Sequence, residues 1–166
     1  MLRRSETGRT LVEMVVILAV IAILAAITGQ AASQLHGALT AGRAKGASDQ
    51  LASAIRTARQ RAITTSTTHC ISMDGTTYEM VVGTRNGPNC QVVEVLPPQD
   101  GGGPVTLIQG ATIDSGPHAF EFTPVSTVEP VGPTPVTVTT GGMATCTATL
   151  TVTPGGGVLL SAPACS

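Results

Sequence analysis

From Leu11 the chain is apolar almost without interruption as far as Ala32, and the next charged side chain after Glu13 is Arg43. As a helix this run extends roughly 33 Å at ~1.5 Å per residue, a length that crosses a bilayer core. Beyond it the helical pattern continues, with Gly29, Gly37, Gly42 and Gly46 interspersed. Each interior glycine costs ~1 kcal/mol relative to Ala, so bends or frayed points are expected there. From Ala47 the pattern becomes amphipathic. Leu51, Ile55, Ala58 and Ala62 fall on one stripe, which predicts docking on a sheet, while Arg56, Arg59 and Arg61 lie off it on a solvated face.

After Thr64 the period changes to short strands separated by turn residues. Cys70 to Met73 and Thr77 to Val82 flank Asp74-Gly75, a tight hairpin signal. Asn86-Gly87-Pro88 turns the chain before a strand at Gln91 to Leu96, and Pro97, Pro98 and Gly101 to Gly103 mark a loop. Short strands are expected at Val105 to Ile108 and Ala119 to Thr123. The prolines at Pro130, Pro133 and Pro135 predict an irregular edge loop over Val125 to Pro135. Strands return at Val136 to Thr139, Cys146 to Val152 and Val158 to Ser161. The fold class is α+β: a long amino-terminal helix packed on a small, mainly antiparallel sheet.

Composition sharpens this picture in two places. In a chain of 166 residues the aromatics are Tyr78, Phe120 and Phe122 alone, so the core rests on Val, Leu, Ile and Ala. Charge is unevenly placed: no Lys or Arg follows Arg85, whereas Glu94, Asp100, Asp114, Glu121 and Glu129 do. Arg3 and Arg4 ahead of the apolar run place the amino terminus in the cytoplasm and the domain outside. In an exported small domain the even set Cys70, Cys90, Cys146 and Cys165 favours disulfides. A turn centred near Gly155-Gly156 sets Cys146 opposite Cys165, which leaves Cys70 to pair with Cys90.

Glu13 is the anomaly of the apolar run. At bilayer depth an unpaired acid costs about 2 to 3 kcal/mol, so it requires a cation. Arg9, Arg3 and Arg4 are the nearest candidates within the chain. The stretch Gly8-Arg9-Thr10-Leu11-Val12-Glu13 resembles the processing motif of type IV pilins and pseudopilins. There a short basic leader ends in Gly, and an aromatic followed by Thr-Leu-apolar-Glu comes after the cut; Arg9 stands here where that family most often has Phe. The segment Leu51 to Ile63, with Ala58-Arg59-Gln60-Arg61-Ala62, is similar to the helix end of the GspH/FimT group of minor pseudopilins. Together the resemblance extends as far as Met80.

The resemblance implies a prepilin leader over 1–8, an assembly and transmembrane helix over 9–32, its exported amphipathic continuation over 33–65 and a β-rich globular domain over 66–166. It implies cleavage by a prepilin peptidase between Gly8 and Arg9, N-methylation of Arg9, and pairing of Glu13 with the terminal amine of a neighbouring subunit. It further implies an inner-membrane assembly platform and other pilins or pseudopilins as partners, in a type II secretion system or a type IV pilus. Two rival readings predict different things. A secreted protein with a signal peptide would be cut near Gln30-Ala31-Ala32-Ser33, and the acid within the run and the helix beyond it argue against that; a plain single-pass anchor is a further reading of the run. A DNA-uptake minor pilin would carry the carboxy-terminal Gly-Arg-x-Arg of that subgroup, and the aligned place reads Gly156-Gly157-Val158-Leu159.

No constellation supports catalysis, and no cofactor is expected. His36, His69 and His118 are scattered, and His69 beside Cys70 lacks the paired spacing of a zinc site. The Gly triplets at Gly101 and Gly155 have no following Lys-Ser/Thr, so phosphate binding is unsupported. Polyanion binding needs clustered cations, and the small patch open to it is Arg56, Arg59, Arg61 and Arg85.

Overall fold

The structure, a computed structural model, describes residues 11–96, 102–108, 110–125, 127–130, 132–142 and 144–166, with the side chains of 27–34, 114, 115 and 117 left aside. The chain divides into two compact units, Met1–His36 and Gly37–Ser166. Helix α1 runs Leu11–Thr65 and contributes to both. In the first unit its described side chains, 11–26, 35 and 36, are exposed. Among the described residues no helix is long and apolar enough to cross a membrane. The membrane segment expected over 9–32 begins outside the described residues and has its side chains beyond 26 left aside, and the leader over 1–8 lies outside them altogether.

The second unit is a helix on an antiparallel sheet. Ten strands follow α1: β1 His69–Gly75, β2 Thr77–Asn86, β3 Asn89–Glu94, β4 Val105–Thr106, β5 Ala111–Phe122, β6 Val128–Glu129, β7 Thr134–Thr140, β8 Cys146–Val152, β9 Val158–Leu160 and β10 Ala164–Cys165. The sheet order is β10-β8-β7-β5-β1-β2-β3, with β4 added to β2, β6 to β5 and β9 to β8. The helix stripe Ala47, Leu51, Ala52, Ile55, Ala58 and Ala62 is buried against Ile71, Met73, Met80, Phe120, Phe122, Val136, Val138, Leu150 and Val152. On β1, β7 and β8 these core positions alternate at period two, which is why one sheet face meets the helix. The opposite face carries a smaller cluster of Cys70, Val81 and Ala119 beside Cys90.

Turn chemistry sets the registers. Asp74 pairs with Thr77, so the β1–β2 turn is Gly75-Thr76 rather than Asp74-Gly75, with Gly75 at φ +53°. Asn86 pairs with Asn89 around Gly87-Pro88, with Gly87 at φ +63°. A glycine of positive φ at the first central position is the type II′ arrangement, which matches the twist of the flanking strands. Thr153 N–H donates to Gly157 O (2.9 Å) and Gly156 sits at φ +72°, which makes a short glycine-closed loop between β8 and β9.

Three expectations change. The glycines at 42 and 46 do not interrupt α1, and Gly46 admits the Ile108 side chain, whose Cδ1 would lie 2.8 Å from an added Cβ. The strand expected at Ala119 to Thr123 begins eight residues earlier, at Ala111. Gly116 at φ +83° and a register shift against β1 between Met73 and Gly75 interrupt its pattern. The proline-rich loop contains β6 and the start of β7. Pro135 pairs with Thr151 on β8, while β5 meets β7 only at Val138 to Thr140, so the missing N–H of Pro135 breaks no ladder on the other side.

Candidate assembly surface

Helix α1 opens with Leu11, Val12, Glu13 and Met14, which places Glu13 in its first turn. Leu11 is 80% exposed, Val12 69%, Leu18 61% and Leu24 56%. At 100° per residue the exposed Val, Leu, Ile and Met positions of 11–24 occupy the whole circumference, so this segment has no inner and outer face. Such a helix is stable only when something apolar covers it, and each large aliphatic side chain contributes about 1.5 to 3 kcal/mol when fully covered. Glu13 works against that gain. The helix N-terminus favours its carboxylate by about 0.3 to 1 kcal/mol, less than the ~2 to 3 kcal/mol that a charge costs in an apolar surround. Burying this end therefore costs free energy unless the carboxylate is compensated there. Gly8 and Arg9, the expected cleavage and methylation positions, lie outside the described residues.

The cysteines form two staples. Cys70 on β1 joins Cys90 on β3 with Cα atoms 5.8 Å apart, bridging over β2 on the face away from α1. Cys146 on β8 joins Cys165 on β10, Cα atoms 4.0 Å apart. Thr145 and Ser166 exchange both backbone hydrogen bonds beside it, at 3.2 and 2.9 Å, so the bridge occupies a non-hydrogen-bonded pair, where strands approach most closely. The β8–β9 register, Leu150 to Leu160 and Val152 to Val158, would carry Cys146 opposite Ala164. One extra residue around Ala162-Pro163, where a ladder N–H is missing, brings Cys165 into place instead.

The carboxy-terminal half of α1 is fixed by polar contacts that no local sequence pattern marks. Gln50 spans the edge segment: its Nε2 donates to Thr106 O (3.2 Å) and its Oε1 accepts from Ile108 N–H (3.2 Å). Thr140 Oγ1 donates to Thr40 O (3.1 Å) across two buried residues. No periodicity marks Gln50 for this part; only its position on the flank of the stripe that faces β4 does.

The scattered polar candidates separate. His36 is exposed, His69 is buried with Nδ1 3.2 Å from Thr67 O, and the His118 ring stacks 6.4 Å from that of Phe120. Among the described residues no group of His, Cys, Asp or Glu is arranged to hold a metal ion. The patch of four arginines is not made. Arg85 faces Cys90 on the side of the sheet away from α1, where its Nε donates to Ala119 O (3.1 Å) and its backbone N–H to Glu121 Oε2 (2.6 Å). Arg56 is exposed, while Arg59 and Arg61 are half-buried rather than fully solvated.

No protein-family model matches the chain, and no curated protein is significantly similar to it. Among solved structures, two crystal forms of the type IV minor pilin FimU from Pseudomonas aeruginosa are similar. One is 17% identical over 70% of this chain and 91% of that one, with a TM-score of 0.46. The other is 16% identical over 72% and 89%, with a TM-score of 0.49.

Proposed function

We propose that this chain is a structural subunit of a helix-cored filament, a minor pseudopilin or minor pilin of the GspH/FimT type. The observation that carries the reading is an exposed helix, apolar around its whole circumference, that bears one carboxylate, Glu13, in its first turn. The processing motif Gly8-Arg9-Thr10-Leu11-Val12-Glu13 supplies the partner for that charge. Cleavage after Gly8 frees an amine at Arg9, which is then methylated. The amine of one subunit and Glu13 of its neighbour, each costly in an apolar surround, neutralise each other as the helices pack.

In this reading the chain waits in the bacterial inner membrane with its amino terminus cytoplasmic and the Gly37–Ser166 unit outside. A prepilin peptidase and the inner-membrane assembly platform then act on it, and it joins other pilins at the initiation or tip of a type II secretion pseudopilus or a type IV pilus. The work is mechanical, and no residue is assigned a catalytic role. The disulfide staples suit a small exported domain that meets neighbours without a large aromatic core.

Glu13→Gln tests the charge alone, because Glu and Gln serve equally at the fourth position of the Thr10-x-x-Glu13 capping spacing. Export and both disulfides should be unchanged while incorporation into sheared filaments falls at least ~10-fold, the factor equivalent to about 1.4 kcal/mol. Incorporation at the wild-type level would overturn the proposal.

A further inference from the structure

A bulge turns the peptide groups of β3. Gly83 pairs with Val92 and Val82 with Glu94, so Val93 is the extra residue. Gln91 O and Val93 N both face Gly83 on β2, where an added Cβ would lie 2.0 and 3.3 Å from them. The peptide bonds on either side of Val92 are trans, and a planar trans peptide points its N–H opposite to its C=O. The N–H of Val92 shares one of these units with Gln91 O, and its C=O shares the other with Val93 N. Both backbone groups of Val92 therefore point away from β2. The sheet ends at β3 on that side, and among the described residues nothing hydrogen-bonds to either group.

The side chains along this edge are bare as well. Val92, Val93 and Val95 are 50, 76 and 63% exposed, and Glu94 lies among them, exposed too. Neither Lys nor Pro, which commonly blunt an edge, occurs over 91–96. Pro97 and Pro98 follow, and they have no N–H with which to continue a ladder. An open donor and acceptor flanked by apolar side chains is the arrangement that takes up another strand. Charge narrows the choice of strand. Among the described residues no cation pairs with Glu94. Arg85 is the one Lys or Arg in any described strand, and its Nε is held by Ala119 O. A second copy of this chain therefore brings no strand with a free cation, and β3 laid on β3 would add a second acid to the first.

We infer that β3 receives an extended strand from a different subunit, apolar beside Val93 and Val95 and carrying a Lys or Arg beside Glu94. Hydrogen bonds to Val92 N–H and C=O hold the strand, and the charge pair selects it. A minor subunit at the initiation or tip has unlike neighbours, and one of them is the donor. The donor's identity as a filament subunit rests on the proposed function; the open edge does not.

Two measurements on the full chain test the contact. In detergent, the probe is a synthetic peptide of alternating threonine and valine with one central lysine. It should slow exchange of the Val92 amide at least about tenfold. Glutamate in place of the peptide's lysine should weaken binding about threefold, and Glu94→Lys should reverse that preference. An unprotected Val92 amide, or equal binding by a peptide copy of Gln91 to Leu96, would overturn the contact. In host membranes, a photoreactive residue in place of Val93 should cross-link to a strand of another filament subunit. Val92→Pro removes an N–H that β2 does not use, so both disulfides should form while the cross-link falls about tenfold. A cross-link to lipid, to a helix or to a second copy, or one that Val92→Pro leaves unchanged, would also overturn it. Filament incorporation is scored on the same samples. Filaments without the cross-link sink this contact alone; a wild-type chain that never enters filaments sinks the proposed function, and the peptide measurement still decides whether the edge receives a strand.

Discussion

Removing the Cys146–Cys165 bridge gives a stability change that can be worked from the structure. The two cysteines are 19 residues apart in sequence. Closing a loop of that size removes about 11 cal/mol/K from the unfolded chain in the chain-entropy model, or about 3 kcal/mol at 25 °C. For the Gly37–Ser166 unit, at ~2.1 cal/mol/K of unfolding entropy per residue, that loss corresponds to a fall in Tm of roughly 12 °C. At ~1.5 kcal/mol/M it moves the urea midpoint by about 2 M. The variant of choice is Cys146→Ala with Cys165→Ala: Cys146 is fully buried beside Ala44 and Ala148, where a serine hydroxyl would need a partner. Strand β10 consists of Ala164 and Cys165 and pairs only with β8, so its amides should exchange rapidly once the bridge is gone. Urea unfolding of the detergent-solubilised chain, with and without the double substitution, measures the shift. A change under ~1 kcal/mol, with β10 amides still protected, would refute the argument, because the tail would then be held by something other than the bridge.

Glycine substitutions should divide by environment. Gly42→Ala, with nothing within 4 Å of the new Cβ, should stabilise the unit by about 1 kcal/mol. Gly83→Ala should destabilise it by ~2 kcal/mol or more in the same unfolding assay, because its Cβ would stand 2.0 Å from Gln91 O on the neighbouring strand. Gln50→Ala removes both hydrogen bonds to the β4 segment; a loss of about 1 to 2 kcal/mol and faster exchange of the Ile108 amide are expected.

The legible parts of this chain are those governed by strict periodicity. Leu51, Ile55, Ala58 and Ala62 repeat at helical spacing and are buried, and Cys146 to Val152 alternates as a strand with one face in the core. Where the backbone departs from its period the reading faltered. Gly116 hid the first half of β5, and prolines at Pro133 and Pro135 disguised the start of β7, where only one side of the strand needs its N–H groups. The hairpin register was expected to run unbroken to the cysteines; the extra residue near Pro163 that aligns them was not visible. Helix propensity gives no reason for glycine at 46, whereas the close approach of Ile108 gives it a packing one. Contacts such as Gln50 to β4, or Arg59 against Gly156, join residues far apart in sequence and leave no local signal. At the candidate surface the charge and the apolar girth of α1 were plain from the sequence, because neither depends on tertiary packing.

The account depends most on where the mature polypeptide starts. Intact mass measurement of the protein recovered from host membranes, followed by sequencing of its amino-terminal peptide, reads this directly. The account predicts a chain that begins at Arg9, is heavier by one methyl group, and retains Glu13 and the whole apolar helix. A mature chain that begins near Ser33 would contradict it, since the apolar segment of α1 and its carboxylate would then be discarded before any subunit could pack against them.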